Sequence, residues 1–134
     1  MREIALQVAR ESEGRERNVL REYLQNYLLL LMQKTKINES LYFVGGTALR
    51  FLYGIRRYSE DLDFTAGQEW QKSNLELFKQ KINRELERAG YEFSISLRTE
   101  KTIQRMMVRF AGLLHELGLS ARREQKFSIH VEID

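Results

Sequence analysis

The stretch Leu41-Tyr-Phe-Val-Gly-Gly-Thr47 decides the fold, because a β-prone run there ends in two glycines and leads into a helical segment. A second short strand is predicted at about Glu60 to Thr65. Side chains two residues apart in a strand point to the same face, so Asp61 and Asp63 project together while the apolar residues that alternate with them face the core. The two segments therefore predict strand, helix and strand, with a pair of carboxylates beside a diglycine.

This combination suits a nucleotide that binds together with a divalent cation. Two neighbouring carboxylates repel each other unless a cation lies between them, and oxygen-only ligands favour Mg²⁺ or Mn²⁺ over zinc. The glycines let the backbone approach a ligand closely, and the helix start offers free N–H groups to a phosphate. Taken alone, an aspartate pair on a strand is most often a pair of solvated charges, and a diglycine after a strand is most often a turn. The two features in this order along the chain indicate a nucleotide site far more specifically than either feature alone.

The rest of the chain alternates helical and extended periodicity, which predicts an α+β fold: a mixed β-sheet flanked by helices, with an N-terminal helical region. We expect the diglycine and the carboxylates on one side of the sheet and packed helices on the other. Glycines are placed to end two of the helices in the left-handed conformation. The predicted helices are 2–35, with a break at 11–15, then 47–53 ended by Gly54, and 69–89 ended by Gly90; the predicted strands are 41–44, 60–65, 91–97, 102–110 and 127–133.

Composition limits the classes of protein that this chain can belong to. Its 134 residues, 43% apolar and 31% charged, predict one folded domain over 1–134, made of a helical lead-in (1–36) and a sheet-containing core (41–134). The absence of cysteine excludes disulfides, zinc–thiolate sites and cysteine nucleophiles. We expect a cytoplasmic protein, since no signal peptide or membrane span is evident. The last strand reaches the final residue, which suggests a C-terminal truncation.

The core also resembles a known family. Phe43-Val-Gly-Gly-Thr-Ala-Leu49, together with Arg57-Tyr-Ser-Glu-Asp-Leu-Asp-Phe64, is similar to the signature of the AbiEii/AbiGii toxins, which are nucleotidyltransferases of the polymerase-β-like superfamily. The stretches 112–120 and 127–134 are similar to the central region of that family. The resemblance implies a nucleotidyltransferase-like fold and transfer of a nucleotide from a nucleoside triphosphate to an acceptor hydroxyl, with RNA such as tRNA as the acceptor. It further implies a toxin of a phage-resistance or toxin–antitoxin system, with a cognate antitoxin.

The same resemblance implies a role for particular residues. It implies two Mg²⁺ ions, with Mn²⁺ as an alternative, held by three carboxylates. It also places a functional lysine and a further aspartate after the last strand, beyond this chain, so a non-catalytic nucleotide- or partner-binding fragment is the alternative function. The implied phosphate-binding residues are Gly45, Gly46 and Thr47, and the implied catalytic, metal-binding carboxylates are Asp61, Asp63 and Glu132, with Asp134 as the alternative to Glu132.

Basic residues add two further predictions. Arg57 precedes the aspartate pair closely enough to contact a bound triphosphate, although an exposed loop arginine is the plainer interpretation. Between Arg98 and Lys126 there are seven basic residues and three acidic ones, and Arg105 and Arg109 share a strand face by alternation. An RNA backbone would favour such a patch, but a solvated hairpin face explains it equally well.

Overall fold

A computed structural model describes residues 1–56 and 58–134. Within those residues the chain forms a five-stranded mixed sheet in the order β1-β2-β5-β4-β3, with helices before and between the strands. The predicted α+β class is confirmed. The elements are α1 (Arg2–Arg10), α2 (Glu16–Lys34), a short 3₁₀ turn (Ile37–Ser40), β1 (Leu41–Val44), α3 (Gly45–Tyr53), β2 (Asp61–Ala66), α4 (Lys72–Arg88), β3 (Glu92–Arg98), β4 (Gln104–Ala111), α5 (Leu113–Glu116) and β5 (Lys126–Ile133).

The last strand lies in the middle of the sheet. β5 pairs in parallel with β2 on one side and antiparallel with β4 on the other, while β1–β2 and β3–β4 are antiparallel pairs. The apolar side chains of β5 alternate with polar ones, and the apolar set is buried. The sequence of β5 therefore specifies a strand with one buried face, and the packing of the whole sheet gives it two neighbours.

The hydrophobic core lies between one face of the sheet and the helices. α2 packs against β5 and α4 against β3, and the leucines that recur along one face of α2, Leu20, Leu24, Leu28 and Leu31, are buried. Leu62 of β2 is fully buried under these helices. In the part of the chain that the structure describes, no helix combines the length and the apolar character needed to cross a bilayer.

Most predicted boundaries are confirmed, and two helices begin elsewhere than predicted. The N-terminal helix breaks as expected, and Gly54 and Gly90 both have positive φ at helix ends. α3 begins at Gly45 instead of Thr47, since Gly45 itself makes the turn from strand to helix with φ +80°. α4 begins at Lys72 instead of 69, because Gly67 donates to the carbonyl of Ser40 and starts a turn there.

Replacing Leu62 with alanine tests the core. Leu62→Ala is expected to lower the free energy of unfolding by about 2–5 kcal/mol, because it leaves a cavity under the central strands. Leu52→Ala is the matched control: its side chain is 67% exposed, so the change should stay within about 0.5 kcal/mol. Urea denaturation measures both variants, and equal losses would contradict this account of the core.

Candidate metal centre

Three carboxylates converge on the face of the sheet opposite the buried one. Asp63 of β2 is the parallel partner of Glu132 in β5, and Asp61 lies two residues before Asp63 on the same face. Each of the three offers an oxygen, and these oxygens lie within 4.8 Å of one another. Side chains on paired strands start only about 5 Å apart, so the pairing of β2 with β5 brings this cluster together.

The cluster is electrostatically costly in the absence of a cation. The pKa of Asp63 is raised, first by its partial burial and then by the charges of Asp61 and Glu132. The guanidinium of Arg105 approaches Glu132, with Nε 3.3 Å from Oε1, and so offsets part of the negative charge. Three carboxylates without nitrogen or sulfur ligands are the donor set that suits Mg²⁺ or Mn²⁺. The residues present therefore fit a divalent cation.

The diglycine lets the start of α3 approach these carboxylates. A Cβ on Gly45 would lie 2.6 Å from Oδ2 of Asp63, closer than real side chains allow, and Gly45 has positive φ. A Cβ on Gly46 would lie 3.2 Å from the Ser59 hydroxyl oxygen. The first turn of a helix has backbone N–H groups without partners inside the helix. The two glycines therefore bring potential phosphate donors to the edge of the acidic cluster.

Thr47 fastens this helix to the strand that carries the aspartates. Its side chain is fully buried, and its hydroxyl donates to the main-chain carbonyl of Asp61. In this arrangement the hydroxyl holds α3 against β2. The direct phosphate contact implied by the family resemblance stays a prediction.

An open cleft of about 560 Å³ lies beside the aspartate pair. Its volume falls in the range of small-molecule sites, roughly 300–1,000 Å³. Apolar side chains of α3 and of the following loop line it together with acidic side chains. The cleft is lined by Gly46, Leu49, Ile55, Tyr58, Ser59, Glu60, Asp61 and Asp63.

A buried glutamine fixes the backbone that enters β2. Gln25 is only 1% exposed, although it lies on the leucine face of α2. Its side-chain amide donates to the carbonyls of Ser59 (3.0 Å) and Glu60 (3.2 Å). We did not predict this role from the sequence; the available signal was one polar residue on an otherwise apolar helix face.

Arg50 of α3 holds the loop that forms the far side of the cleft. Its guanidinium donates to the carbonyls of Ile55 (2.8 Å) and Arg56 (3.0 Å), and its carbon lies 3.8 Å from the centre of the Tyr58 ring. An ion pair with Glu22 of α2 orients it. This role also escaped the sequence analysis, because an arginine in an exposed segment gives no signal of its contacts.

The two remaining predicted site residues are Asp134 and Arg57. Asp134, the alternative third carboxylate, is exposed and is not among the three that converge. Its main chain instead bonds to β2, with its N–H on the carbonyl of Phe64 and its carbonyl accepting from Ala66. Arg57, the predicted triphosphate contact, lies outside the described residues.

The chain is similar to one protein family and to two solved structures. The profile of a family described as "Nucleotidyl transferase AbiEii toxin, Type IV TA system" matches residues 28–134. Two crystal structures from Helicobacter pylori are similar in fold, each with a TM-score of 0.52: a protein provisionally assigned as a nucleotidyltransferase (24% identity, 81% of this chain and 43% of that one) and JHP933 (22%, 84% and 43%). The chain thus spans less than half the length of either protein. None of the curated proteins matches it significantly.

Alanine at Gly45 tests the close approach of α3. Gly45→Ala is expected to destabilise the protein by more than Gly90→Ala, because both have positive φ but only the Cβ at position 45 meets a neighbour, the Asp63 carboxylate. The control change is expected to cost roughly 1–2 kcal/mol, the strain of a left-handed alanine. Denaturant unfolding gives both values; a loss at Gly45 no larger than at Gly90 would contradict the contact.

The raised pKa of Asp63 predicts a pH-dependent stability. The folded carboxyl binds its proton more tightly than the unfolded one, so the free energy of unfolding falls as pH rises from the ordinary value of 3.8 through the raised pKa. Asp63→Asn should therefore be more stable than the parent at pH 7 without divalent cations, and the difference should vanish below pH 3.8. Urea denaturation across this pH range measures it. A less stable variant at pH 7 would contradict the stated repulsion.

Proposed function

The chain belongs to the AbiEii family of nucleotidyltransferase toxins, and on that premise we propose that its acidic cluster, with divalent cations, positions a nucleoside triphosphate for transfer of its nucleotide to an acceptor hydroxyl. One observation carries the proposal: Asp61, Asp63 and Glu132 converge, and Asp63 of this cluster lies against Gly45 at the start of α3. Both the carboxylates and a triphosphate are anionic, so cations are required between them. Mg²⁺ is the proposed ion, in two copies, with Mn²⁺ as the alternative.

The two sides of the site have different proposed roles, one for the triphosphate and one for the acceptor. On the α3 side, Gly45 and Gly46 expose backbone N–H groups to the triphosphate, and the cleft beside them accommodates the nucleotide. Arg57 is proposed as a further phosphate contact. When bound, the cations stabilise the leaving pyrophosphate and lower the pKa of the attacking hydroxyl. Glu132, on the strand farther from α3, places the acceptor on the opposite side from the phosphates.

The biological setting rests on the family. We propose that residues 1–134 act as one nucleotidyltransferase-like domain of a toxin in the cytoplasm, that RNA such as tRNA carries the acceptor hydroxyl, and that a cognate antitoxin binds the toxin. The first 27 residues precede the family match; α1, formed within them, packs against α2, which supports including them in the domain.

Substituting the aspartates tests the proposal. Asp61→Asn and Asp63→Asn are each expected to weaken Mn²⁺-dependent nucleotide binding at least tenfold in calorimetry, because each removes a charged ligand. Transfer of labelled nucleotides to total RNA in the presence of Mg²⁺ should fall to background. Asp134→Asn is the matched control, since that exposed carboxylate lies outside the cluster.

Two results would change the interpretation. Undiminished metal-dependent nucleotide binding in both aspartate variants would contradict the assigned roles, provided thermal unfolding shows that the variants are folded. Binding that depends on the aspartates but yields no product with any nucleotide would instead establish the non-catalytic alternative for this chain.

A further inference from the structure

A basic surface continues from the acidic cluster along the same face of the sheet. Glu132 is the partner of Arg105 in β4, and Arg105 is the partner of Arg98 in β3. The row Asp63–Glu132–Arg105–Arg98 thus changes from two acids to two bases across four adjacent strands. Arg109, four residues after Arg105, lies on the same face. We call the surface formed by Arg98, Arg105, Arg109, Met107 and His130 the basic face.

The charges of the basic face are only partly compensated by the protein. Arg105 contacts Glu132, and Arg109 donates to the neutral hydroxyl of Ser96 at 3.0 Å. Among the described residues, no carboxylate lies within 4.0 Å of Arg98 or Arg109. Like charges directly opposite each other in a sheet are unfavourable. The cross-strand pair of Arg98 and Arg105 would therefore be stabilised by an anion that lies between them.

The surface is also concave. A groove of about 430 Å³ runs over it, bounded by the three arginines and by Glu132 at its acidic end. Met107 and His130, cross-strand partners of each other, also line it and supply a polarizable and an aromatic surface. Guanidinium groups bind phosphates in a bidentate manner, and proteins that bind single strands combine a basic groove with aromatic side chains on which bases stack.

We infer that the basic face binds the single-stranded end of the nucleic acid that carries the acceptor hydroxyl. Phosphates contact Arg98, Arg105 and Arg109, and a base or sugar packs on His130 and Met107. The strand then reaches Glu132 from the side opposite to the triphosphate, so that its terminal hydroxyl meets the carboxylates. The inference rests on the proposed function for the identity of the terminal group, whereas binding of the strand can be measured without any reaction.

The test measures binding of a fluorescent 12-nucleotide single-stranded RNA by anisotropy over a series of salt concentrations, without divalent cations; DNA of the same sequence forms a second arm. The double variant R98Q/R109Q is expected to bind about tenfold more weakly. Its salt dependence should be shallower by about 1.4, since each lost phosphate contact of a single strand contributes about 0.7. Arg105 is retained because it contacts Glu132.

The matched control is R84Q/R88Q, which removes the same charge from exposed positions of α4. It should bind the oligonucleotide like the parent chain. Equal losses in both double variants, or undiminished binding by R98Q/R109Q, would overturn the inference; the second result is also the one expected if the face instead binds a protein. Binding of the RNA or of the DNA that depends on Arg98 and Arg109 supports the inference. The oligonucleotide that binds more tightly identifies the polymer.

A second readout separates this inference from the proposed function. R98Q/R109Q should keep the Mn²⁺-dependent nucleotide affinity of the parent chain, whereas Asp61→Asn should lose that affinity and keep the oligonucleotide. If the parent chain itself shows no Mn²⁺-dependent nucleotide binding while oligonucleotide binding still depends on the arginines, the proposed function is wrong and the basic face stands. If nucleotide binding depends on Asp61 while oligonucleotide binding does not depend on the arginines, the proposed function stands and the inference about the basic face is wrong.

Discussion

The parallel pairing of β2 with β5 is the constraint on which the rest of the structure depends. It makes Leu62 and Val131 partners on the buried face and Asp63 and Glu132 partners on the open face. A slip of one residue would move the apolar set to solvent and the carboxylates into the core. Hydrophobic burial therefore fixes the register, and the register brings the carboxylates together without any favourable contact between them.

The repulsion among the carboxylates has to be offset elsewhere in the fold. Burial on the helix-covered face supplies the main stabilisation, at roughly 25 cal/mol per Å² of apolar surface. Local bonds then hold the backbone that carries the cluster: Thr47 joins α3 to β2, and Gln25 joins α2 to the residues that enter β2. Neither side chain touches a carboxylate. Both restrict its position, which a metal site needs because ligand geometry must be held closely.

Patterns within single segments could be predicted from the sequence, and relations between segments mostly could not. Alternation placed Asp61 with Asp63 and Glu132 on the polar side of β5, because strand geometry is local. That β5 lies between β2 and β4 follows from tertiary packing, and the choice of Glu132 came from a family resemblance. The contacts of Gln25 and Arg50 depend on loops whose paths no periodicity encodes. The start of α3 was misplaced because Gly45 can serve as turn and helix residue at once.

The contact between Arg105 and Glu132 marks the boundary between the acidic and basic halves of this face, and its exposure decides what it can do. The side chains are 53% and 32% exposed, and solvated ion pairs of this kind contribute at most about 1 kcal/mol. The pair is therefore weak enough to yield the carboxylate to a divalent ion. Release of Glu132 would free the guanidinium of Arg105 at the same moment. On the proposed function, a cation that binds Glu132 and an anion that binds Arg105 would favour each other, because each would separate the same ion pair.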